Sequence, residues 1–157
     1  MADGMLGSVA RKLRLFGFDV EYRRDDEDEK LIESCLREGR ILLTSDRRLW
    51  GSASKRGVRA LLVSGEDDED RLFEILSGLG VESVSGDTPR CTVCNGRLVK
   101  VEKEEIRGKV PDGVLERNDE FYVCESCGKV YWRGSHWERI DELIDSLNRR
   151  LKTNRAS

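Results

Sequence analysis

The sequence has no long apolar run. Its longest uninterrupted stretches are of the Ile41-Leu42-Leu43 kind, whereas a membrane-spanning helix needs about 20 apolar residues and a secretory leader needs a compact apolar segment. The expectation is a soluble, intracellular protein of the cytoplasm with no membrane partner. Nor does one sign of charge dominate: Lys+Arg 28 against Asp+Glu 31 leaves a formal charge of -3, which excludes a uniformly basic coat for nucleic acid. Histidine occurs once, at His136, and no serine or cysteine stands in a nucleophile arrangement. What remains for catalysis is a carboxylate cluster holding a divalent metal. Apolar content is adequate, since 38% of 157 residues supports one ordinary domain or two small ones.

The five cysteines are Cys35, alone in an apolar context where it reads as a buried hydrophobe, and two tight pairs, Cys91/Cys94 and Cys124/Cys127. A Cys-x-x-Cys turn presents two sulfurs from one knuckle, and two knuckles complete the tetrahedral shell zinc prefers. Glycines Gly96 and Gly128 follow closely, as such turns often require. A redox pair is the competing reading, but a thioredoxin-like site has one Cys-x-x-Cys beside a βαβ unit. With four sulfurs the zinc has no open position for water, so its role is structural.

Along the chain, Leu6, Val9, Leu13 and Phe16 follow helical spacing and predict a helix over 5–16, while 18–22 alternates like a strand. A helix is expected over 27–38, a buried strand over 40–44, a short helix over 46–55, a strand over 58–63 and a helix over 67–77. Strands separated by such helices imply right-handed crossovers and a parallel sheet, with sites at the carboxyl ends of the strands. The pattern breaks between Ser83 and Arg90, which divides residues 1–86 from residues 87–157. The second part predicts ribbon strands over 98–106, 121–123 and 129–132, with an inserted loop near Gly108 to Asp119. A C-terminal amphipathic helix follows, carrying Ile140, Leu143, Ile144, Leu147 and Leu151 and ending in a basic tail that could touch phosphate.

Two groups of residues carry open alternatives. Asp3, Asp28 and Asp46 are candidate ligands for Mg²⁺ or Mn²⁺, but Asp3 and Asp46 also read as helix N-caps and the 25–29 acidic run as a solvated helix start. The segment Trp132, Arg133, His136 and Trp137 reads either as a packed corner anchoring the last helix or, with Tyr131 and Arg139, as a stacking surface for unpaired bases.

Asp3-Gly-Met-Leu-Gly, Ala10-Arg11-x-Leu13-Arg14, Gly17-Phe18-Asp19, Gly39-Arg40-Ile41-Leu42-Leu43-Thr44-x-Asp46-Arg47 and Gly134-Ser135-His136-Trp137 together resemble the Mut-seven C-terminal RNase domain family. The resemblance implies an α/β, PIN-like parallel sheet flanked by helices, followed by a small zinc ribbon. It also implies a metal-dependent ribonuclease in which Asp3, Asp28 and Asp46 are the acidic positions. Family members usually carry an apolar strand ahead of the first aspartate, whereas here only Met1 and Ala2 precede Asp3. Either the start is truncated or another segment fills that place. Position 45 is Ser where the family often has a basic residue, which would weaken phosphate contact beside Asp46.

The expected function is therefore phosphodiester hydrolysis in RNA, ribosomal or transfer RNA among the substrates considered, by an aspartate cluster with Mg²⁺ or Mn²⁺. The ribbon helps to hold the RNA. Arg11, Arg14, Arg40, Arg47 and Arg48 are candidate phosphate contacts. The rival is a non-catalytic RNA- or ribosome-binding zinc-ribbon protein, and a third reading is a protein-interaction module with a basic partner.

Overall fold

A computed structural model describes residues 1–156. Two strands, β1 (Leu42–Thr44) and β2 (Ala60–Leu62), pair in parallel with Leu43 opposite Leu61. Two shorter segments widen this sheet. Ala2 bridges in parallel to both Leu43 and Tyr22, through Ala2 N donating to Glu21 O (2.8 Å), Asp3 N to Leu43 O (3.1 Å) and Leu43 N to Met1 O (2.8 Å). The lanes therefore run in the order 20–22, 1–3, β1, β2. Residues 1–3 occupy the central lane expected to lack a strand, and the strand anticipated over 18–22 is reduced to its bridge at Tyr22.

Helices cover both faces, as crossover connections between parallel strands require. On one side α1 (Gly7–Leu15) and α4 (Asp68–Gly78) bury Val9, Leu13, Leu72 and Ile75 against Leu43 and Val63. On the other, α2 (Asp28–Glu38) and α3 (Arg47–Lys55) bury Ile32, Cys35, Leu49 and Ala53 against Leu42. The period of two along β1 sends Leu42 to one core and Leu43 to the other.

A three-stranded antiparallel sheet follows, of β3 (Leu98–Val101), β4 (Phe121–Cys124) and β5 (Val130–Trp132), with Val99 opposite Val123 and Tyr122 opposite Tyr131. The strand expected to reach residue 106 ends at Val101, because Lys103–Ile106 turns into a short helix, α5. The expected loop contains a second one, α6 (Asp112–Arg117). Ile106, Val110 and Leu115 pack on the fully buried Phe121, so this insertion has its own small core.

The last helix, α7 (Trp137–Ala156), returns to the first unit. Its Ile144, Leu147 and Leu151 join the core of α1 and α4. Asn148 clamps the connecting segment, accepting from Val84 N (2.8 Å) and donating to Val84 O (2.9 Å). The basic end of the helix lies on the acidic start of α4, where Arg150 pairs with Asp70 at 3.1 Å and stacks on Phe73. The architecture is thus the expected α/β sheet with a cysteine-bearing antiparallel unit and a C-terminal helix. Among the described residues no helix is long and apolar enough to cross a membrane.

Candidate functional site

In the lane order above, the chain leaves residues 1–3 toward one side and reaches β1 on the other, so a topological switch point lies between these two lanes. In open α/β sheets the crevice at such a point, at the carboxyl ends of the strands, is where ligands bind. Asp3 and Asp46 stand there, at or just after the ends of adjacent lanes. Asp3 is 5% exposed. One of its oxygens accepts from Met5 N at 3.0 Å, capping the 3₁₀ turn Gly4–Leu6, and the other accepts a short bond from the Thr44 hydroxyl. Thr44 Oγ1 in turn accepts from Asp46 N at 3.0 Å. Asp46 caps α3, accepting from Arg48 N (2.9 Å) and Leu49 N (3.3 Å) through one oxygen. The N-cap reading of both aspartates therefore holds, and it coexists with their place at the crevice.

Gly4 explains part of the Asp3-Gly-Met-Leu-Gly motif. A Cβ there would lie 2.5 Å from Arg24 O, and one at Gly7 would lie 2.8 Å from the Tyr22 hydroxyl. Only glycine lets the turn after Asp3 lie flat on the 22–24 segment.

Asp28 is not brought to this pair as a metal ligand. It is exposed in the first turn of α2, and among the described residues no three carboxylates come close enough to share an ion. A cleft of about 300 Å³ opens at the same end of the sheet, between Met5, Ser45, Arg47 and Gly65.

The cysteines do converge. The ligand atoms of Cys91, Cys94, Cys124 and Cys127 all lie within 4.8 Å of one another, with Cys91 Sγ 3.7 Å from Cys127 Sγ and Cys94 Sγ 3.4 Å from Cys124 Sγ. Tetrahedral Zn–S bonds near 2.3 Å place sulfurs ~3.8 Å apart, so the four cysteines could hold a zinc ion. Backbone amides of Ser126 and Cys127 point at Cys124 Sγ. A Cβ on Gly96 would lie 2.6 Å from Cys124 Sγ and 3.1 Å from Cys94 Sγ, so the backbone itself closes the sulfur cradle.

Tyr131 supplies a further layer. Its hydroxyl contacts Cys91 Sγ at 3.0 Å and accepts from Thr92 N at 3.1 Å. Burial alone would raise the Cys91 thiol, but the bond from Tyr131, with the amides of Cys94 and Val93 and the neighbouring Cys127, outweighs it and brings the thiol down to about 6. The same contact, after burial, pushes Tyr131 up to about 12.

The candidate RNA contacts divide into three groups. Arg11, Trp132, Arg133, His136 and Trp137 line one cleft between α1 and the ribbon. Arg47 lines the cleft at the carboxyl end of the sheet. Arg14 and Arg40 are used differently. Arg14 is 4% exposed and joins the two units, its Nε donating to Val20 O (2.9 Å) and a terminal nitrogen to Thr92 O (2.8 Å). Arg40 precedes β1, at the amino end of the sheet, among Asp19, Glu21 and Glu38. Both face protein partners, because a guanidinium at a junction satisfies several carbonyls or carboxylates at once.

Residues 1–144 of the 157-residue chain match the Mut7-C RNAse domain. The chain belongs to the Mut7-C RNAse domain family. No curated protein and no solved structure matched it. Membership of the Mut7-C family suggests a nuclease, with RNA as the substrate or partner. The match runs through both units, so the cysteine cluster is part of what the Mut7-C domain spans rather than an appendage.

Two residues of these sites had no role from sequence, and a third had a different one. Thr44 sits inside the Leu-Leu-Thr-x-Asp segment, and its position two residues before Asp46 is the spacing at which a hydroxyl meets the i+2 amide. Asn95, at φ 69°, accepts from Val20 N (3.1 Å) and donates to Asp19 (2.7 Å). Its place directly after Cys94 was the signal, since asparagine tolerates the left-handed backbone a knuckle turn needs. Tyr131 reads as one of the stacking aromatics; its bond to Cys91 depends on strand pairing.

Proposed function

We propose that this Mut7-C protein is a metal-dependent endoribonuclease whose reaction centre is the crevice between Asp3 and Asp46. The observation that carries the reading is the bond relay Asp3, Thr44, Asp46 at the switch point of the sheet. Mg²⁺ binds through one or two carboxylates and keeps several waters, so two aspartates are a sufficient donor set without Asp28. The divalent ion, when bound, would supply Lewis acidity toward the scissile phosphate and a more acidic water.

The chain's own residues do the rest. Thr44 fixes one oxygen of Asp3 and the main chain at Asp46, which holds the two carboxylates in register without either having to reorganise. The cap uses only one oxygen of the exposed Asp46, which leaves the second for a ligand. Arg47, at the adjoining cleft, is placed to neutralise a phosphate. The cysteine site, filled by zinc, has no open position and holds the ribbon's shape. The RNA, ribosomal or transfer RNA among the candidates, is held partly by that ribbon, in the cytoplasm.

The test is cleavage of labelled single-stranded and structured RNAs with Mg²⁺ or Mn²⁺. Asp3→Asn and Asp46→Asn are expected to abolish metal-dependent cutting while zinc content stays unchanged; cutting retained in both ends the assignment. A second reading, non-catalytic RNA or ribosome binding, is favoured by one observation: Asp28 is exposed and among the described residues no third carboxylate joins the pair. Binding without cutting in the same assay selects it.

A further inference from the structure

The cleft between α1 and the ribbon has a volume of about 450 Å³, in the range that accommodates a compact ligand. One wall is a single stripe of α1, Ser8, Arg11, Lys12 and Leu15, at the i, i+3, i+4, i+7 spacing of one helix face. The opposite wall carries Tyr131, Trp132 and Trp137, half-buried, with the exposed His136 at the rim.

Its charge is one-sided. Arg11, Lys12, Lys129 and Arg133 line it, and among the described residues no aspartate or glutamate does, in a chain whose acidic residues outnumber the basic. Lys12 is paired with Asp68 at 2.6 Å. Arg11 and Lys129 have no carboxylate partner among the described residues, and Arg133 bonds only to Gly86 O (2.7 Å) while lying over the Trp137 ring.

Lys129 lies over the Tyr131 ring and Arg133 over Trp137, while His136 is exposed at the rim. A Cβ at Gly134 would lie 3.3 Å from Trp132 Nε1 and 3.4 Å from His136 Nδ1, so glycine at this position is what brings the indole and the imidazole to one point. Aromatic rings beside cations that have no carboxylate partner among the described residues, such as Arg11 and Lys129, fit a planar group joined to an anion.

We propose that this cleft binds an unpaired base of single-stranded RNA, stacked on the Trp132, His136 and Trp137 wall, with the adjoining phosphate against Arg11. The assignment rests on the reading of the chain as an RNA-acting protein. A duplex keeps its base faces covered and cannot enter. The same helix leads from this cleft back toward Asp3. The 3₁₀ turn and α1 run from Asp3 to Arg11, a rise of roughly 13 Å, which is within the reach of a few nucleotides.

The experiment measures binding of a labelled single-stranded RNA and of the matching blunt duplex to the zinc-loaded full chain carrying Asp46→Asn. Arg11→Glu, His136→Ala and Trp137→Ala are introduced into that background. Single-stranded RNA is expected to bind more tightly than duplex. Each substitution is expected to weaken it about tenfold, and Arg11→Glu to lower the slope of log affinity against log salt by about 0.7 or more. Trp137 also packs beside Gly86, so the exposed Arg11 and His136 keep the test sound if the tryptophan variant does not fold. Affinity within twofold of the parent for both, or equal binding of duplex, overturns the proposal. Cleavage is read in parallel with Asp46 restored. Cleft-dependent binding by a chain that never cuts leaves this inference standing and removes the nuclease; cutting with no cleft dependence does the reverse.

Discussion

The Thr44 hydroxyl donates to the buried Asp3 carboxylate and accepts from the Asp46 amide. One side chain thus joins two neighbouring lanes of the parallel sheet at the end where both aspartates emerge. Replacing Thr44, itself fully buried, with valine keeps the branched shape and removes both bonds, which leaves a carboxylate oxygen of Asp3 without its hydroxyl donor. Thr44→Val is expected to cost about 1–3 kcal/mol in a urea denaturation. Metal-dependent RNA cleavage should fall further than the loss of folded protein explains. Wild-type cleavage per folded molecule would count against the relay.

Tyr131 should govern the metal-free cysteines. With Cys91 held at about 6 by its hydrogen bonds, a pH titration of thiolate absorbance in the zinc-free chain is expected to show one cysteine ionising well ahead of the others. In Tyr131→Phe that step should move upward, and zinc affinity should fall about tenfold, as losses of such outer hydrogen bonds typically do. An unmoved first step would mean that the amides alone set it.

Asp19 links the sheet to the ribbon through Asn95 (2.7 Å) and Arg40 (3.1 Å). Burial works against its charged form, but these bonds prevail and its carboxyl lies below the ordinary value. A depressed folded-state value means that the stabilisation is present above the unfolded value, near 4, and is lost as pH falls through the folded one. The side chain is half exposed, so the effect is under about 1 kcal/mol. Asp19→Asn should be less stable than the parent at neutral pH, and the two curves should converge below pH 4. A constant gap at every pH would point to packing instead.

Leu147 tests which unit owns the last helix. It is fully buried with Leu72, Ile75 and Leu76 of α4, so Leu147→Ala is expected to lower stability by about 2–5 kcal/mol. Hydrogen exchange should report the loss in α1 and α4 while β3, β4 and β5 keep their protection. Equal loss in the ribbon would show the two units to be one cooperative block.

Periodicity located most helices to within a residue or two, because each has one buried stripe: Leu31, Ile32 and Cys35 mark α2 as Leu72, Ile75 and Leu76 mark α4. The cysteine group was legible because its spacing is itself the geometry. What stayed hidden depends on contacts distant in sequence. Three residues, Met1 to Asp3, are too few to carry an alternation, so their central lane is visible only from the bonds to Glu21 and Leu43. The segment 103–117 looked like strand end and loop because its short helices draw their apolar partner, Phe121, from the next strand. Arg14 and Arg11 are indistinguishable as letters, and the three-residue step between them turns one into the junction and leaves the other at the cleft. Asp28 fits the acidic pattern by position, yet nothing local reveals how far α2 holds it from the pair.

The return of α7 to the α/β core bears on how the protein is made. Domains emerging from the ribosome ordinarily close in order, the first one first. Here Ile144, Leu147 and Leu151 complete a core begun by Leu6 and Val9, so the α/β unit stays unfinished until the ribbon has been synthesised. If the four cysteines take up zinc, that step can precede completion of the sheet's own core, and zinc supply during translation would then bear on how the whole chain closes.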